Sequence, residues 1–305
     1  MPLPVVHHPD YVAPMPAGHR FPMGKFGRVM AVLLEDGVVA PAQVVRPEPA
    51  PRAWLELAHT PDYVAGVTGQ RLDAEAVRRI GLPQSPEVAR RALAATGGTV
   101  LTARLALEYG VACNTAGGSH HAQAGFGAGF CLFNDVAVAA RVLLAEGLVD
   151  RLLVVDLDVH QGDGTAAIFR LDPAVFTFSV HCQSNYPLRK QQGDLDVGLD
   201  DGLEDDAYLR TLADHLPDLL SEVRPGLVFY NAGVDPHRDD RLGRLMLTSE
   251  GLARRDAYVL ETCVRAGVPV AGVLGGGYGR DVDEVARRHA ILHRVAGDMF
   301  GPLRL

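Results

Sequence analysis

The sequence predicts an α/β protein of three layers, in which a central, mostly parallel sheet lies between two layers of helices. Strand-like and helix-like segments alternate from residue 111 to the end of the chain, which is typical of parallel strands connected by helices. Polar clusters follow four of these strands, at residues 120–121, 158–160, 235 and 278. Because open parallel sheets bind ligands at the carboxyl ends of their strands, these clusters predict a functional site at that edge.

The first part of the chain carries weaker signals. Short strands are predicted at 4–12 and 42–46, and helices at 26–35, 53–57, 62–67 and 73–80. A long helix is predicted at 85–109, because Ser85 can cap it, Pro86 suits the first helical position, and apolar residues recur at helical spacing. The pair Gly97-Gly98 weakens its middle and indicates close packing or a break.

The rest of the chain alternates regularly. Strands are predicted at 111–116, 152–157, 175–181, 226–230 and 269–274, and helices at 135–146, 164–170, 205–222, 249–266 and 281–296. Segment 182–201 is long and polar and is predicted to be a loop, and long loops in compact domains usually carry function. No linker or repeat divides the 305 residues, so we expect a single domain over residues 1–305.

Composition argues against several classes of partner. The net charge of −8 and the pI of about 5.8 argue against nucleic acid and anionic membranes, and they favour basic substrates such as amines. No apolar window is long enough to span a bilayer, and the N-terminus lacks the pattern of a signal peptide. The four cysteines are far apart and predict no disulfide framework. We therefore expect a soluble, cytoplasmic protein; the sequence predicts no oligomeric state.

The stretch RLLVVDLDVHQGDGT at 151–165 is the most informative. Its apolar, branched residues predict a buried strand, into which Asp156, Asp158 and His160 are set at every second position and therefore on one face. Burying such groups unpaired costs several kcal/mol, which a divalent cation would remove. Aspartate oxygen with histidine nitrogen suits zinc better than calcium or magnesium. A buried polar network without a metal is the alternative.

A second motif, GGSHHA at 117–122, follows the strand predicted at 111–116. Adjacent histidines in a strand would face opposite ways, but in a glycine-rich loop His120 and His121 can both face one cavity. A loop exposed to solvent is the alternative interpretation.

Five motifs together resemble the histone deacetylase superfamily, and they occur in that family's order over most of the chain. They are GGSHHA at 117–122, GFGAGFCLFNDVAVAA at 125–140, DLDVHQGDGT at 156–165, YNAGVDPHRDDRLG at 230–243 and GGGYGRD at 275–281. The likeness is greatest to class IV and its bacterial relatives. The resemblance implies the arginase/deacetylase fold, a zinc ion and hydrolysis of an acylated amine.

The resemblance also implies roles for particular residues. Asp158, His160 and Asp235 match the zinc ligands, and Fe²⁺ or Co²⁺ could replace zinc because their ligand preferences are similar. Three protein ligands leave a coordination position open, as catalytic zinc requires.

His120 and His121 match the family's tandem histidines. Asp156 would orient His120 and Asp163 would orient His121, and the second histidine is implied to be the proton shuttle. Tyr278 matches the tyrosine that donates to the developing oxyanion.

The substrate walls are implied in the same way. Gly129, Phe130, Tyr186, Leu242 and Gly276 correspond to residues around the acyl-lysine tunnel. Beyond the metal, three glycine-rich turns predict room for an acyl group longer than acetyl. The resemblance further implies a structural potassium site; its matching residues are Asp156 and Ser179.

Several functions remain open at this point. The first is removal of acyl groups, acetyl or longer, from lysine side chains of proteins, and the second is deacetylation of acetylpolyamines or other small acylated amines. A ureohydrolase with two manganese ions would need an additional aspartate beside His160, where this chain has Gln161. A non-catalytic acyl-lysine binder is the last alternative.

Overall fold

The structure, a computed structural model, describes residues 3–299. Within these residues there are eight strands: β1 Val5–Val6, β2 Val44–Val45, β3 Val111–Asn114, β4 Leu152–Asp156, β5 Val175–Cys182, β6 Leu195–Leu199, β7 Leu227–Asn231 and β8 Val270–Val273. They form one sheet in the order β2-β1-β3-β8-β7-β4-β5-β6, and every pairing between these strands is parallel. All carboxyl ends therefore lie at one edge, and the predicted fold class is confirmed.

Helices cover both faces of this sheet. The α-helices of the described part are α1 Lys25–Glu35, α2 Arg52–Leu55, α3 Pro61–Thr68, α4 Ala74–Ile80, α5 Pro86–Tyr109, α6 Asp135–Ala145, α7 Asp163–Phe169, α8 Asp205–Val223, α9 Ser249–Arg265 and α10 Val282–Met299. One layer contains α5, α6 and α7, and the other contains α1, α8, α9 and α10. None of these helices combines the length and the apolar character needed to cross a bilayer.

The central strand β4 lies between β5 and β7. Asp156, its last residue, is opposite Ser179 of β5 and Asn231 of β7. Leu152 to Val155 are at most 2% exposed, as expected of a strand covered on both faces. The apolar part of the strand thus lies within the core, and its polar end reaches the edge where the loops begin.

The long helix α5 has the cap that the sequence predicts. The Ser85 hydroxyl accepts a hydrogen bond from the Val88 amide at 3.3 Å, and Gly110 follows the last turn. The helix is unbroken at Gly97 and Gly98, where a β-carbon would overlap the Glu48 carbonyl oxygen and the Tyr11 hydroxyl, respectively. Close packing is therefore the reason for the glycine pair.

Two regions differ from the predictions. Residues 4–12 form only the short β1 followed by a 3₁₀ helix at Pro9–Tyr11. Segment 182–201, predicted to be a loop, contains the edge strand β6, which pairs with β5. Leu195, Val197 and Leu199 alternate with exposed residues along β6. This period-two pattern is that of an edge strand with one covered face, and the many polar residues around it conceal it in the sequence.

Gly97→Ala is expected to lower the free energy of unfolding by about 1–3 kcal/mol, because overpacking forces the backbone of a neighbouring segment to move. Gly297→Ala in α10 is the control, since open space surrounds that position. There the substitution should stabilise the protein by roughly 0.5–1 kcal/mol through helix propensity alone. Denaturant unfolding measures both values, and equal stabilities would contradict the close contact at Gly97.

Candidate active site

The polar side chains after β4 lie in a turn beyond the end of the strand. Because β4 ends at Asp156, the predicted placement of Asp156, Asp158 and His160 on one strand face is wrong. The Asp156 carboxylate accepts from the Asp158 amide at 3.2 Å, and the Asp158 carboxylate accepts from the His160 amide at 3.0 Å. Aspartates that bond the backbone two residues on favour turns over ladder pairing. The chain therefore leaves the sheet through two consecutive turns.

These turns bring Asp158 and His160 to Asp235, which follows the neighbouring strand β7. His160 Nδ1 lies 3.0 Å from Asp158 Oδ1 and 3.1 Å from Asp235 Oδ2. One ligand atom from each residue lies within 4.8 Å of the other two. The three side chains form a buried cluster, with Asp235 0% exposed and His160 6% exposed.

The donor set of this cluster fits a divalent transition metal. Burial, and then repulsion between the Asp158 and Asp235 carboxylates, raise the pKa of Asp235 to about 7. A cation between them would remove this repulsion and the cost of burying the charges. Two oxygens and an imidazole nitrogen suit Zn²⁺, Fe²⁺ or Co²⁺, whereas Ca²⁺ and Mg²⁺ prefer oxygen ligands alone. The identity of the metal stays a prediction.

Backbone amides fix the other oxygens of both carboxylates. The Gly276 amide donates to Asp158 Oδ2 at 2.6 Å, and the Val159 amide donates to Asp235 Oδ1 at 2.8 Å. A β-carbon at Gly276 would overlap the Asp235 carboxylate. Gly276, predicted among the substrate walls, therefore lies against the carboxylates and does not border the tunnel described below.

A buried arginine beneath the two loops was missed by sequence reasoning. Arg255 of α9 is 0% exposed and donates through Nη1 to the carbonyl oxygens of Gly233 at 2.7 Å and Leu157 at 3.3 Å. Its Nη2 lies 2.8 Å from Asp256. One guanidinium thus ties together the loops that carry the cluster. Nothing in the sequence distinguishes Arg255 from its exposed neighbour Arg254.

Each of the tandem histidines is paired with a buried carboxylate. His120 Nδ1 lies 2.7 Å from Asp156 Oδ2, and His121 Nδ1 lies 2.6 Å from Asp163 Oδ1. In both pairs Nδ1–H donates to the carboxylate, and in a neutral ring Nε2 is then the acceptor. Asn231, which the sequence analysis did not single out, donates from Nδ2 to Asp156 Oδ1 at 3.0 Å.

The two histidines differ in electrostatic environment. Burial lowers the pKa of His120, but the Asp156 and Asp158 carboxylates outweigh this effect and the pKa is raised to about 9. For His121, burial and then the neighbouring His120 lower the pKa to about 4, despite the pairing with Asp163. The environment therefore favours a charged His120 beside a neutral His121.

The loop that carries both histidines is held by the start of α6. Asp135 accepts from the Ser119 amide at 2.7 Å and from the Gly118 amide at 3.0 Å. Asn134 caps α6 as predicted, since its side chain accepts from the Ala137 amide at 2.9 Å. The motif around Asn134 thus forms the support of the histidine loop.

Tyr278 lies on the glycine-rich loop after β8, with its ring centroid 6.2 Å from that of His160. The Tyr278 amide donates to Asp240 Oδ2 at 2.6 Å. The fully buried Lys25 donates from Nζ to the carbonyls of Gly275 at 3.1 Å and Gly277 at 3.3 Å. Burial and then the nearby Asp235 raise the pKa of the Tyr278 hydroxyl well above its ordinary value, so it remains a proton donor at neutral pH.

A tunnel of about 270 Å³ leads to these groups. It is lined by Arg20, Arg78, Arg79, Ile80, Gly81, His121, Gly129, Phe130, His160, Asn185, Tyr186, Leu242 and Tyr278. Four of the five predicted wall residues border it, and Gly276 does not. The Tyr186 ring centroid lies 4.8 Å from that of His121, and the Phe130 centroid lies 5.9 Å from that of Tyr278. The three arginines were not predicted.

Phe130 is held in an uncommon backbone conformation. Its φ is 66°, which is rare for a residue other than glycine and costs on the order of 1–3 kcal/mol. Two hydrogen bonds maintain it: the Phe130 amide donates to Ile80 at 2.7 Å, and the Gly129 amide donates to Arg79 at 3.3 Å. The end of α4 therefore fixes this wall of the tunnel.

The space beyond the cluster is small. A chamber of about 30 Å³, which suffices for roughly two water molecules, is bordered by Gly117, Gly118 and Gly129. A chamber of this size does not support the predicted room for a longer acyl group, and the chain-length preference stays a prediction. A β-carbon at Gly117 would contact Asp135, and one at Gly118 would overlap the Gly275 backbone. Gly118 thus allows two backbone segments to approach each other, and Gly117 allows the loop to lie against Asp135.

The proposed potassium residues are neighbours. Asp156 and Ser179 are paired across β4 and β5, and Ser179 Oγ lies 3.0 Å from His181 Nδ1. A potassium ion at this place stays a prediction.

Comparison with known proteins identifies the family. The pattern described as "Histone deacetylase domain" matches residues 19–293. The chain is 58% identical to an uncharacterized protein of Picosynechococcus sp., over 98% of this chain and 100% of that protein. It is 30% identical to Histone deacetylase 2 of Arabidopsis thaliana, over 85% of this chain and 70% of the relative. The crystal structure of the HDA15 HD domain superposes with a TM-score of 0.80 at 25% identity and covers 97% of this chain and 88% of the other.

Fold and site together define an α/β protein of the arginase/deacetylase type, with its buried polar site at the carboxyl edge of a parallel sheet. Within that class the chain belongs to the histone deacetylase family, as its motifs predict. The finer likeness to class IV and the cytoplasmic location stay predictions.

Gly276→Ala is expected to weaken metal binding at least tenfold, because the added methyl group would displace the Asp235 and Asp158 carboxylates. Gly125→Ala is the control, since no atom would lie near its β-carbon. Metal content after dialysis against a graded chelator measures the difference. Unchanged metal retention by the Gly276 variant would contradict the contact with the carboxylates.

Proposed function

We propose that this protein is a zinc-dependent deacetylase that removes acetyl groups from lysine side chains. The observation that carries the proposal is the convergence of the Asp158–His160–Asp235 cluster, two histidine–carboxylate pairs and the Tyr278 side chain. These are the parts that amide hydrolysis requires: a cation site, a base and an oxyanion donor.

Asp158, His160 and Asp235 would hold the metal. A zinc ion held by three protein ligands lowers the pKa of a bound water and polarises the substrate carbonyl. The amides of Gly276 and Val159 keep the two carboxylates oriented toward the imidazole, and Arg255 keeps their loops together.

His121 is the proposed general base. Its Nδ1–H donates to Asp163, so Nε2 is the nitrogen that can take a proton from the attacking water and pass it to the leaving amine. It borders the tunnel, whereas His120 borders only the inner chamber. His120, paired with Asp156, would contribute positive charge rather than proton transfer.

Tyr278 is the proposed oxyanion donor. Its protonated hydroxyl belongs to a side chain that is 8% exposed, on a loop fixed by Lys25 and Asp240. Preorganised donors of this kind stabilise developing negative charge, and removal of one typically lowers turnover by about 10²–10³-fold.

The substrate stem would lie between the aromatic side chains Phe130 and Tyr186. Burying its methylene groups contributes about 25 cal/mol for each Å² of apolar surface. The chamber of about 30 Å³ beyond the cluster supports acetyl rather than long acyl groups.

Two other functions have less support. A non-catalytic acyl-lysine binder would not need two histidine–carboxylate pairs and a buried tyrosine. A ureohydrolase with two manganese ions would need a second set of carboxylates. Within residues 3–299, the only group of three or more candidate ligands within bonding reach of one ion is Asp158, His160 and Asp235.

Purified protein is expected to contain about one zinc per chain and to release acetate from acetyl-lysine peptides, with hexanoyl and longer groups removed far more slowly. Asp235→Asn should lose both the metal and the activity, since an amide is a poor zinc ligand. Elemental analysis and an acyl-chain panel test this. Two metals per chain with urea released from a guanidinium substrate would replace the proposal by the ureohydrolase alternative.

His121→Ala is expected to lower kcat by about 10²–10⁴-fold, the usual contribution of a general base, and to affect it far more than His120→Ala does. Steady-state kinetics of both variants at matched metal content measure the ratio. Equal, mild losses would show that the proton shuttle is assigned to the wrong group.

A further inference from the structure

Three arginines surround the outer end of the tunnel. Arg20 comes from the loop before α1, and Arg78 and Arg79 come from the last turn of α4. All three are exposed, whereas His121, His160 and Tyr278 at the inner end of the same tunnel are buried. The arginine rim, as we call Arg20, Arg78 and Arg79, therefore stands where a substrate enters.

No negative charge balances the arginine rim. The residues that line the tunnel include no aspartate or glutamate. No carboxylate of residues 3–299 lies within ion-pair distance of any of the three guanidinium groups, whereas other surface arginines such as Arg104 and Arg254 do form ion pairs. The protein as a whole has a net charge of −8, so the arginine rim is a positively charged patch on a negatively charged protein.

Two of the three rim arginines, Arg20 and Arg79, are held by contacts to aromatic rings at or beside the tunnel wall. The Arg20 guanidinium lies 5.1 Å from the Phe130 ring centroid, and that of Arg79 lies 4.6 Å from the Phe126 centroid. His19 Nε2 donates to the Gly81 carbonyl at 3.1 Å, which ties the Arg20 loop to the end of α4. The Arg79 carbonyl itself accepts from the Gly129 amide. The guanidinium groups of Arg20 and Arg79 are thus positioned before a substrate arrives, whereas that of Arg78 extends from the last turn of α4.

We propose that the arginine rim binds a carboxylate of the substrate, so that the preferred substrates are acylated amines with a carboxylate at the far end of the stem. This inference rests on the proposed deacetylase function and names its substrate class. Guanidinium groups match carboxylates in shape and charge, and several of them around one opening favour an anion strongly.

The carboxylate has two sources with the same chemistry. It can be the free α-carboxylate of an acetylated amino acid, or the side chain of an acidic residue beside acetyl-lysine in a peptide. An acetylpolyamine carries positive charge at the same place and is repelled by the rim. The rim therefore separates two substrate classes that the catalytic residues alone do not distinguish.

A simpler explanation exists for two of the arginines. Basic residues in the last turn of a helix interact favourably with its dipole, and Arg78 and Arg79 occupy such positions. That explanation covers neither Arg20 nor the absence of acidic residues from the tunnel lining. It also predicts an effect of substitution on stability and none on substrate choice, so the two can be told apart.

The test uses two substrate pairs, each of which differs by a single charge. One pair is Nα-formyl-Nε-acetyllysine and its primary amide, and the other is a peptide in which glutamate or glutamine flanks acetyl-lysine. For the zinc-loaded wild-type protein, kcat/KM should favour the charged member of at least one pair by about tenfold, as expected for several charge-assisted contacts at an exposed site. Which pair responds identifies the source of the carboxylate.

Arg78→Glu is the decisive variant, because no hydrogen bond, ion pair or ring contact of its side chain is found within residues 3–299. It should reduce the preference about tenfold, and Arg78→Gln should reduce it by a smaller factor. Arg210→Glu, an exposed position on α8 away from the tunnel, makes the same change in net charge and should leave the preference unaltered. Since each preference is a ratio within one variant, differences in folding or metal content cancel.

Dissociation constants from calorimetry, measured with the same four compounds, separate the two proposals. If the charged compounds bind more tightly but none is hydrolysed, the rim proposal is supported and the proposed deacetylase function is contradicted. If all are hydrolysed with equal kcat/KM, the rim proposal fails and the deacetylase function stands. The rim proposal would also fail if Arg78→Glu left the wild-type preference intact, or if Arg210→Glu removed that preference equally.

Discussion

The burial of three carboxylates side by side is the constraint on which the rest of this site depends. Asp156, Asp158 and Asp235 are each at most 3% exposed, and an unpaired charge in such a place costs several kcal/mol. The contacts around them supply donors: backbone amides from the loops after β4 and β8, the ring of His120, and the Asn231 side-chain amide. The resulting network leaves the cluster little freedom to rearrange, which is the property that preorganised catalysis requires.

The order of the strands explains how distant parts of the sequence form one site. The histidine loop, the two cluster loops and the tyrosine loop follow β3, β4, β7 and β8, and these four strands are adjacent in the sheet. Because all of them are parallel, their carboxyl ends lie side by side. Two buried basic side chains then connect the loops to the helices. Arg255 of α9 donates hydrogen bonds to the cluster loops, and Lys25 of α1 donates hydrogen bonds to the tyrosine loop.

Much of this arrangement could be predicted from the sequence, because apolar strands, capped helices and polar residues at strand ends leave clear patterns. The pairing of Asp156 with His120 and of Asp163 with His121 follows the family motifs. What could not be predicted depends on contacts between distant segments. The edge strand β6 is concealed by its polar neighbours, the glycine turns border only a small chamber, and Arg255 resembles any other helical arginine. The arginine rim combines residues from two separate segments, so neither segment alone indicates it.

The attachment of Phe130 to α4 has an evolutionary consequence. Residues 61–81 contribute no strand to the sheet and no residue to the Asp158–His160–Asp235 cluster, yet they carry two rim arginines and fix the backbone of a tunnel wall. Under the proposed function, mutations in this short stretch would change which molecules enter without disturbing the groups proposed to cleave them. In a gene lineage with this fold, substrate range and hydrolytic chemistry are free to diverge at different rates.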